Sequence, residues 1–147
     1  MPSTIHASAV LVAARAVLIR GPSGSGKSRL AFDLISAAGG AVRFARLVAD
    51  DRAELQPAGG RLLVRPAPAL AGLIEVRGLG LRRLPYEPVA VVGLVVDLAA
   101  AEAQRLPGPE QVYVTIEGIP LARIAVAPGE AAFARLIAAL HMPESAI

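Results

Sequence analysis

The sequence predicts a single α/β domain built around a phosphate-binding loop, and three observations carry that prediction. The stretch RGPSGSGKS (20–28) contains the full G-x-x-x-x-G-K-[ST] pattern over 21–28, between an apolar run of strand character and a run of helical spacing. The only lysine, against 14 arginines, is Lys27 inside that turn. A compact ammonium on a flexible stem slides beneath a phosphate chain, whereas a planar guanidinium suits forked surface contacts. The remaining sequence is a series of short Val/Leu/Ile runs broken by turn residues, with one more helical pattern near the C-terminus.

Taken in order, residues 8–13 and 16–20 read as two short strands joined by a tight turn near Ala14 and Arg15. From Lys27 to about Ala38, KSRLAFDLISAA sets Leu30, Phe32, Leu34 and Ile35 at near-helical spacing, and Gly39-Gly40 supply a stop. RLVAD (46–50), AELQP (53–57) and RLLVRP (61–66) are short apolar runs, the last two joined as a hairpin through Ala58-Gly59-Gly60. IEVRGLGLRRLPYEP (74–88) mixes glycine, charge and proline without a clean period and is expected to be a loop. VAVVGLVVDL (89–98) has the length and content of a buried strand. QVYVTIEG (111–118) alternates, IPLARIAV (119–126) continues it across a turn, and GEAAFARLIAALH (129–141) is expected to be a helix. No repeat or linker interrupts the pattern, so one domain over 1–147 is expected.

Composition narrows the function. A chain of 147 residues is long enough to bury a core without staples, and the absence of cysteine excludes disulfides and thiolate metal sites. Aromatic residues at 3% leave little stacking surface for single-stranded nucleic acid. The net charge of +3 comes from arginines scattered between Arg15 and Arg135, which read first as solvated surface and second as a patch for an acidic protein. With neither a basic stripe nor a recognition-helix pattern, a nucleic-acid partner is not expected. The apolar stretch 7–19 lacks a basic leader and is interrupted by Arg15, and no run reaches the roughly 18 apolar residues of a membrane span. No membrane partner is expected, and the expected location is cytoplasmic.

The loop carries the most specific chemistry. Its glycines allow backbone N–H groups to turn onto phosphate oxygens, and the following helix start adds positive potential. Gly21, Pro22, Ser23, Gly24, Ser25, Gly26, Lys27 and Ser28 are therefore assigned to nucleotide phosphates, with Lys27 at the β and γ phosphates and Ser28 on Mg²⁺. The plain alternative is a glycine-rich turn without a ligand. Such a site also needs a carboxylate at a strand end. Asp50-Asp51 in LVADD and Asp97 in GLVVDL compete for that place, two of the four aspartates being adjacent in the first. Adjacent carboxylates are costly to hold close unless a cation or proton is shared. The plain readings are a solvated turn for the pair and a helix cap for Asp97.

Several stretches together resemble one family: HASAVLVAARAVLIRGPSGSGKS (6–28), LVADD (47–51), LIEVRGLG (73–80), QRLP (104–107) and IAVAPGE (124–130). They are similar to the catalytic domain of HPr kinase/phosphorylase, which phosphorylates a serine of the phosphocarrier protein HPr, in a short form without the family's N-terminal domain. The resemblance implies a fold related to phosphoenolpyruvate carboxykinase, with a mixed sheet, flanking helices and the loop at one sheet edge. It implies ATP and Mg²⁺ as ligands, and an HPr-like carrier of the phosphotransferase system as partner. By residue, it implies Asp51 as the base, Lys27 on phosphate, Ser28 and Glu75 on magnesium, His6 and Arg105 in catalysis, and Asp50 as a carboxylate either linked to the metal or placed behind its ligands. A homo-oligomer is implied by the same route. Taken singly, His6, Glu75, Arg77 and Arg105 also read as ordinary surface or loop residues.

The pattern departs from the family in two places. Ala7 follows the histidine where the family has glycine. The family's P-G-R-N segment, linked to dephosphorylation, becomes Pro128-Gly129-Glu130-Ala131 here, and exchanging a cation for an anion reverses the local field. Kinase activity is therefore expected over phosphorolysis. Two other readings stand beside it: a small-molecule kinase or NTPase, and an ATP-binding sensor module acting on a two-component signalling partner.

Overall fold

The computed structural model describes residues 2–103 and 107–142. Eleven strands and two α-helices follow one another as β1 (Ser3–Ile5), β2 (Ala7–Val12), β3 (Arg15–Arg20), α1 (Lys27–Ser36), β4 (Ala45–Ala49), β5 (Ala53–Ala58), β6 (Arg61–Pro66), β7 (Leu73–Val76), β8 (Gly80–Arg83), β9 (Ala90–Asp97), β10 (Tyr113–Ile116), β11 (Ile119–Ala125) and α2 (Ala132–His141). The main sheet runs β1-β5-β6-β9-β3-β2-β4, with β11 and β10 joined on beside β9. It is mixed: β9 is parallel to β3 and to β11, and the other pairs are antiparallel. One edge of β9 follows β3, while β6 pairs near its start and β11 along its end, so the sheet forks there. Strand β3, which feeds the phosphate loop, lies between β9 and β2. The loop therefore rises from the interior of the sheet and not from its edge.

Alternation along the strands builds a core on each face. Leu18 and Val95 point to one side, where they meet Leu55, Leu62, Val64 and Leu121. Val17, Ile19 and Val96 point to the other, against Leu30 and Leu34 of α1 and Leu136 of α2. Burying these side chains contributes about 25 cal/mol per Å² of apolar surface. Tight turns set the register: Ala13 adopts φ 55° between β2 and β3, and Gly59-Gly60 adopt φ 59° and 78° between β5 and β6.

The expected strands and both helices occur, with differences at the margins. Helix α1 stops at Ser36, short of the glycines, and Phe32 is 41% exposed while Ala31 is buried in its place. The stretch 74–88 is not a loop throughout: β7 and β8 form an antiparallel hairpin over 73–83. All four residues of β8 are exposed, so no buried face imposes alternation on its sequence. Asp97 caps no helix; it ends β9 and is followed by a turn.

Candidate active site

Strand β3 delivers the chain to the loop at Gly21, and Gly26, left-handed at φ 100°, caps α1 so that Lys27 is the first helical residue. The Lys27 side chain is buried beneath the loop, where Nζ donates to the carbonyls of Gly21 (2.9 Å) and Pro22 (3.2 Å). Gly21 lies in a crowded place: a Cβ there would sit 2.5 Å from Ser25 Oγ, 3.1 Å from Leu98 Cβ and 3.2 Å from the Leu98 carbonyl oxygen. Ser25 Oγ is buried with no hydrogen-bond partner among the described residues. An unpaired hydroxyl, a buried ammonium and a helix start converge on one small volume, a donor set that fits polyphosphate.

Asp50 follows β4 and is 6% exposed, a costly place for a carboxylate unless it is fully hydrogen-bonded. Its Oδ1 accepts from Ser8 Oγ (2.7 Å) and Ser28 Oγ (2.7 Å). Its Oδ2 accepts from Ser28 Oγ (2.9 Å) and from the Glu75 amide (3.0 Å). Asp51 is exposed and left-handed, φ 67°, and its N–H donates to Ser8 Oγ at 3.2 Å. The two aspartates therefore turn apart: Asp50 into the protein beneath Ser28, and Asp51 onto the wall of a cleft of about 420 Å³. The same cleft is lined by His6, Gly21, Pro22, Ser23 and Lys27.

The structure thus brings together His6, Lys27, Ser28, Asp50, Asp51 and the eight-residue loop. Glu75 lies on β7, its amide on Asp50 and its side chain exposed, and no ion pair joins it to Arg77. Arg105 lies outside the described residues. No group of three or more His, Asp or Glu side chains among the described residues would hold a metal unaided. Magnesium commonly takes one or two protein oxygens and completes its shell with water and phosphate, so Ser28 Oγ and the Asp50 carboxylate fit that ion.

Sequence reasoning missed two features. Ser8 is the first. It is fully buried in an otherwise apolar strand, and that polar intrusion was the available signal. The second is a charge network at the ends of three adjoining strands. Arg20 forks onto Asp97 at 2.7 and 2.8 Å, and Arg123 Nε meets Asp97 Oδ2 at 2.5 Å. Arg123 also reaches Glu102 at 2.8 Å. Burial pushes the Asp97 pKa up, but the hydrogen bonds and charges of Arg20 and Arg123 outweigh it and leave the carboxyl below its ordinary value. Arg123, opposed by burial, is held above its ordinary value by Asp97 and Glu102. The network braces the base of the loop, since Arg20 directly precedes Gly21 and its carbonyl accepts from the Leu98 amide at 2.8 Å.

A curled mixed sheet with a phosphate loop rising from its interior and a split aspartate pair beside it defines a phosphate-loop protein of the phosphoenolpyruvate carboxykinase-like type. The family model described as HPr Serine kinase C-terminal domain matches residues 2–85, and the chain belongs to that family. The chain is 37% identical over 139 residues to the HPr kinase/phosphorylase of Cupriavidus necator, covering 86% of this chain and 41% of that protein. It is 34% identical over 135 residues to the one from Burkholderia lata, covering 84% of this chain and 40% of that protein. The chain thus spans about two fifths of the length of these curated relatives. Among solved structures, the Hpr(Ser) kinase/phosphatase from Coxiella burnetii superposes with a TM-score of 0.74 at 25% identity, covering 94% of this chain and 93% of that one. No helix among the described residues is long and apolar enough to cross a membrane.

Proposed function

We propose that this domain is an ATP-dependent, Mg²⁺-requiring protein kinase that phosphorylates a serine hydroxyl of an HPr-like phosphocarrier protein. The observation that carries this reading is the cleft in which Asp51 faces the phosphate loop and Lys27. Phosphoryl transfer needs alignment and charge compensation more than covalent help. The loop and Lys27 hold the β and γ phosphates. Ser28 and Asp50, with Glu75 as a further ligand, would hold magnesium, which would supply charge compensation at the phosphate oxygens. Asp51 accepts the proton of the attacking serine as the serine Oγ–Pγ bond forms and the bond from Pγ to the β,γ-bridging oxygen breaks, that oxygen leaving with its electron pair as part of ADP. His6, which lines the same cleft, and Arg105 are further catalytic residues, Arg105 adding charge compensation.

Forward transfer dominates in this reading, with phosphorolysis weak. Glu130 stands where the family has arginine, and its carboxylate is paired to Arg135 of α2, so the segment offers little to an incoming phosphate anion. In the assay, label from [γ-³²P]ATP should appear on a serine of a purified HPr-type carrier and should not leave at a comparable rate when inorganic phosphate is added. Phosphate-dependent release as fast as the forward reaction would overturn the kinase-dominated reading. Tight ATP binding with no label on any carrier would favour the sensor module acting on a signalling partner.

A further inference from the structure

Ser8 sits between the two aspartates. It is 0% exposed and lies on β2 between Ala7 and Ala9, both fully buried. A hydroxyl has one donor and two acceptor positions. The donor goes to Asp50 Oδ1 at 2.7 Å, and one acceptor takes the Asp51 amide at 3.2 Å. A change of register places it there. β2 and β4 pair Val10 with Leu47 but Ala9 with Ala49, leaving Val48 as an extra residue on β4. Such bulges re-aim side chains beside active sites. Beyond the bulge the Ala7 amide donates to the Asp51 carbonyl at 3.1 Å and the Arg52 amide to the Asp50 carbonyl at 2.8 Å, so the chain folds tightly about Asp51.

We infer that Ser8 is a positioning residue that assigns the two adjacent aspartates their separate tasks. One end of its hydroxyl holds Asp50 inward against Ser28, and the other pins the Asp51 amide, keeping Asp51 left-handed with its carboxylate toward the cleft. Left-handed backbone is unfavourable for residues with a Cβ and persists where the surroundings hold it. An apolar residue of similar size at position 8 would fill the core equally well and would release both contacts. This assignment rests on the reading of Asp51 as the base, and one arm of its test is independent of that reading.

The test uses the full chain with Ser8→Ala and the hydroxyl-retaining Ser8→Thr. In ¹⁵N-labelled protein without nucleotide, Ser8→Ala should speed hydrogen exchange of the Asp51 amide by about tenfold or more, the equivalent of roughly 1.4 kcal/mol, while amides of β3 stay protected. With ATP, Mg²⁺ and carrier, the same variant should lose about 10- to 100-fold in single-turnover transfer, as expected for a misplaced base. Its affinity for a fluorescent ATP analogue without Mg²⁺ should stay within about threefold, because loop and lysine are intact. Ser8→Thr should recover most of the transfer. Unchanged exchange at Asp51 in Ser8→Ala overturns the assignment whatever the activity. So does exchange that rises while transfer holds at the wild-type rate. If wild-type protein transfers no phosphate to the carrier, the kinase reading fails, and the exchange arm alone decides the role of Ser8.

Discussion

Asp51 combines a backbone demand with a chemical one, and the two separate by substitution. Its φ of 67° is a conformation that asparagine adopts as readily as aspartate. Asp51→Asn should therefore keep the wild-type melting temperature while abolishing transfer, and Asp51→Ala, with no side chain suited to that conformation, should also lose about 1 kcal/mol of stability. Calorimetry beside a transfer assay distinguishes them. Lys27 differs because its ammonium is buried on two carbonyls, and in the proposed reading it exchanges them for phosphate. Lys27→Met keeps the packing of the stem and removes the charge, so it should fold normally and lose about 100- to 1,000-fold in transfer, the scale of one electrostatic stabiliser. The loop containing Lys27 was legible in the sequence because its pattern is local and nearly every residue in it has a stereochemical duty. Ser8 stood out as a polar residue in an apolar strand, but its role was not legible, because its partner Asp50 lies 42 positions away and the bulge that aims it arises only when β2 and β4 pair.

Among the elements, β9 makes the greatest structural demand, since it joins β3, β6 and β11 and ends on the carboxylate that holds Arg20 and Arg123. Removing that carboxylate in Asp97→Ala leaves two partly buried guanidiniums unpaired. The cost should be about 2–3 kcal/mol, below the range for fully buried pairs because Arg20 keeps some solvent. The sign of its pH dependence follows from the folded pKa lying below the ordinary 3.8. The unfolded chain takes up the proton first, so the stabilisation is complete above 3.8 and disappears as pH falls through the folded value. The melting-temperature gap between wild type and Asp97→Asn should accordingly persist down to about pH 5 and close in stronger acid. Helix α2 is held by fewer contacts, with Leu136 its one fully buried residue. Leu136→Ala should cost about 2–4 kcal/mol, read by chemical denaturation. Alternation announced most strands, but the β7–β8 hairpin escaped because its second strand buries nothing, and the Arg20–Asp97 pair escaped because it spans 77 positions.

For the whole molecule, the sheet brings three distant stretches to one cleft: the β1–β2 corner with His6, the β3–α1 loop with Lys27, and the end of β4 with Asp51. Composition could exclude disulfides and large aromatic platforms but could not show how these stretches meet. The family resemblance supplied roles for His6, Lys27 and Asp51, and long-range strand pairing is what sets the three around one cleft. The loop rising from the sheet interior was not legible, because strand order depends on long-range pairing that local pattern does not encode. The central claim is that Asp51 removes the proton from a protein serine as phosphate arrives from ATP. It is tested most directly by intact-mass spectrometry of a purified HPr-type carrier incubated with this protein, ATP and Mg²⁺, beside Asp51→Asn. One added phosphate, a gain of about 80 Da on a hydroxyl, that is absent with Asp51→Asn is the predicted result. An equal gain with Asp51→Asn, or none with wild-type protein that still binds ATP, would contradict the account.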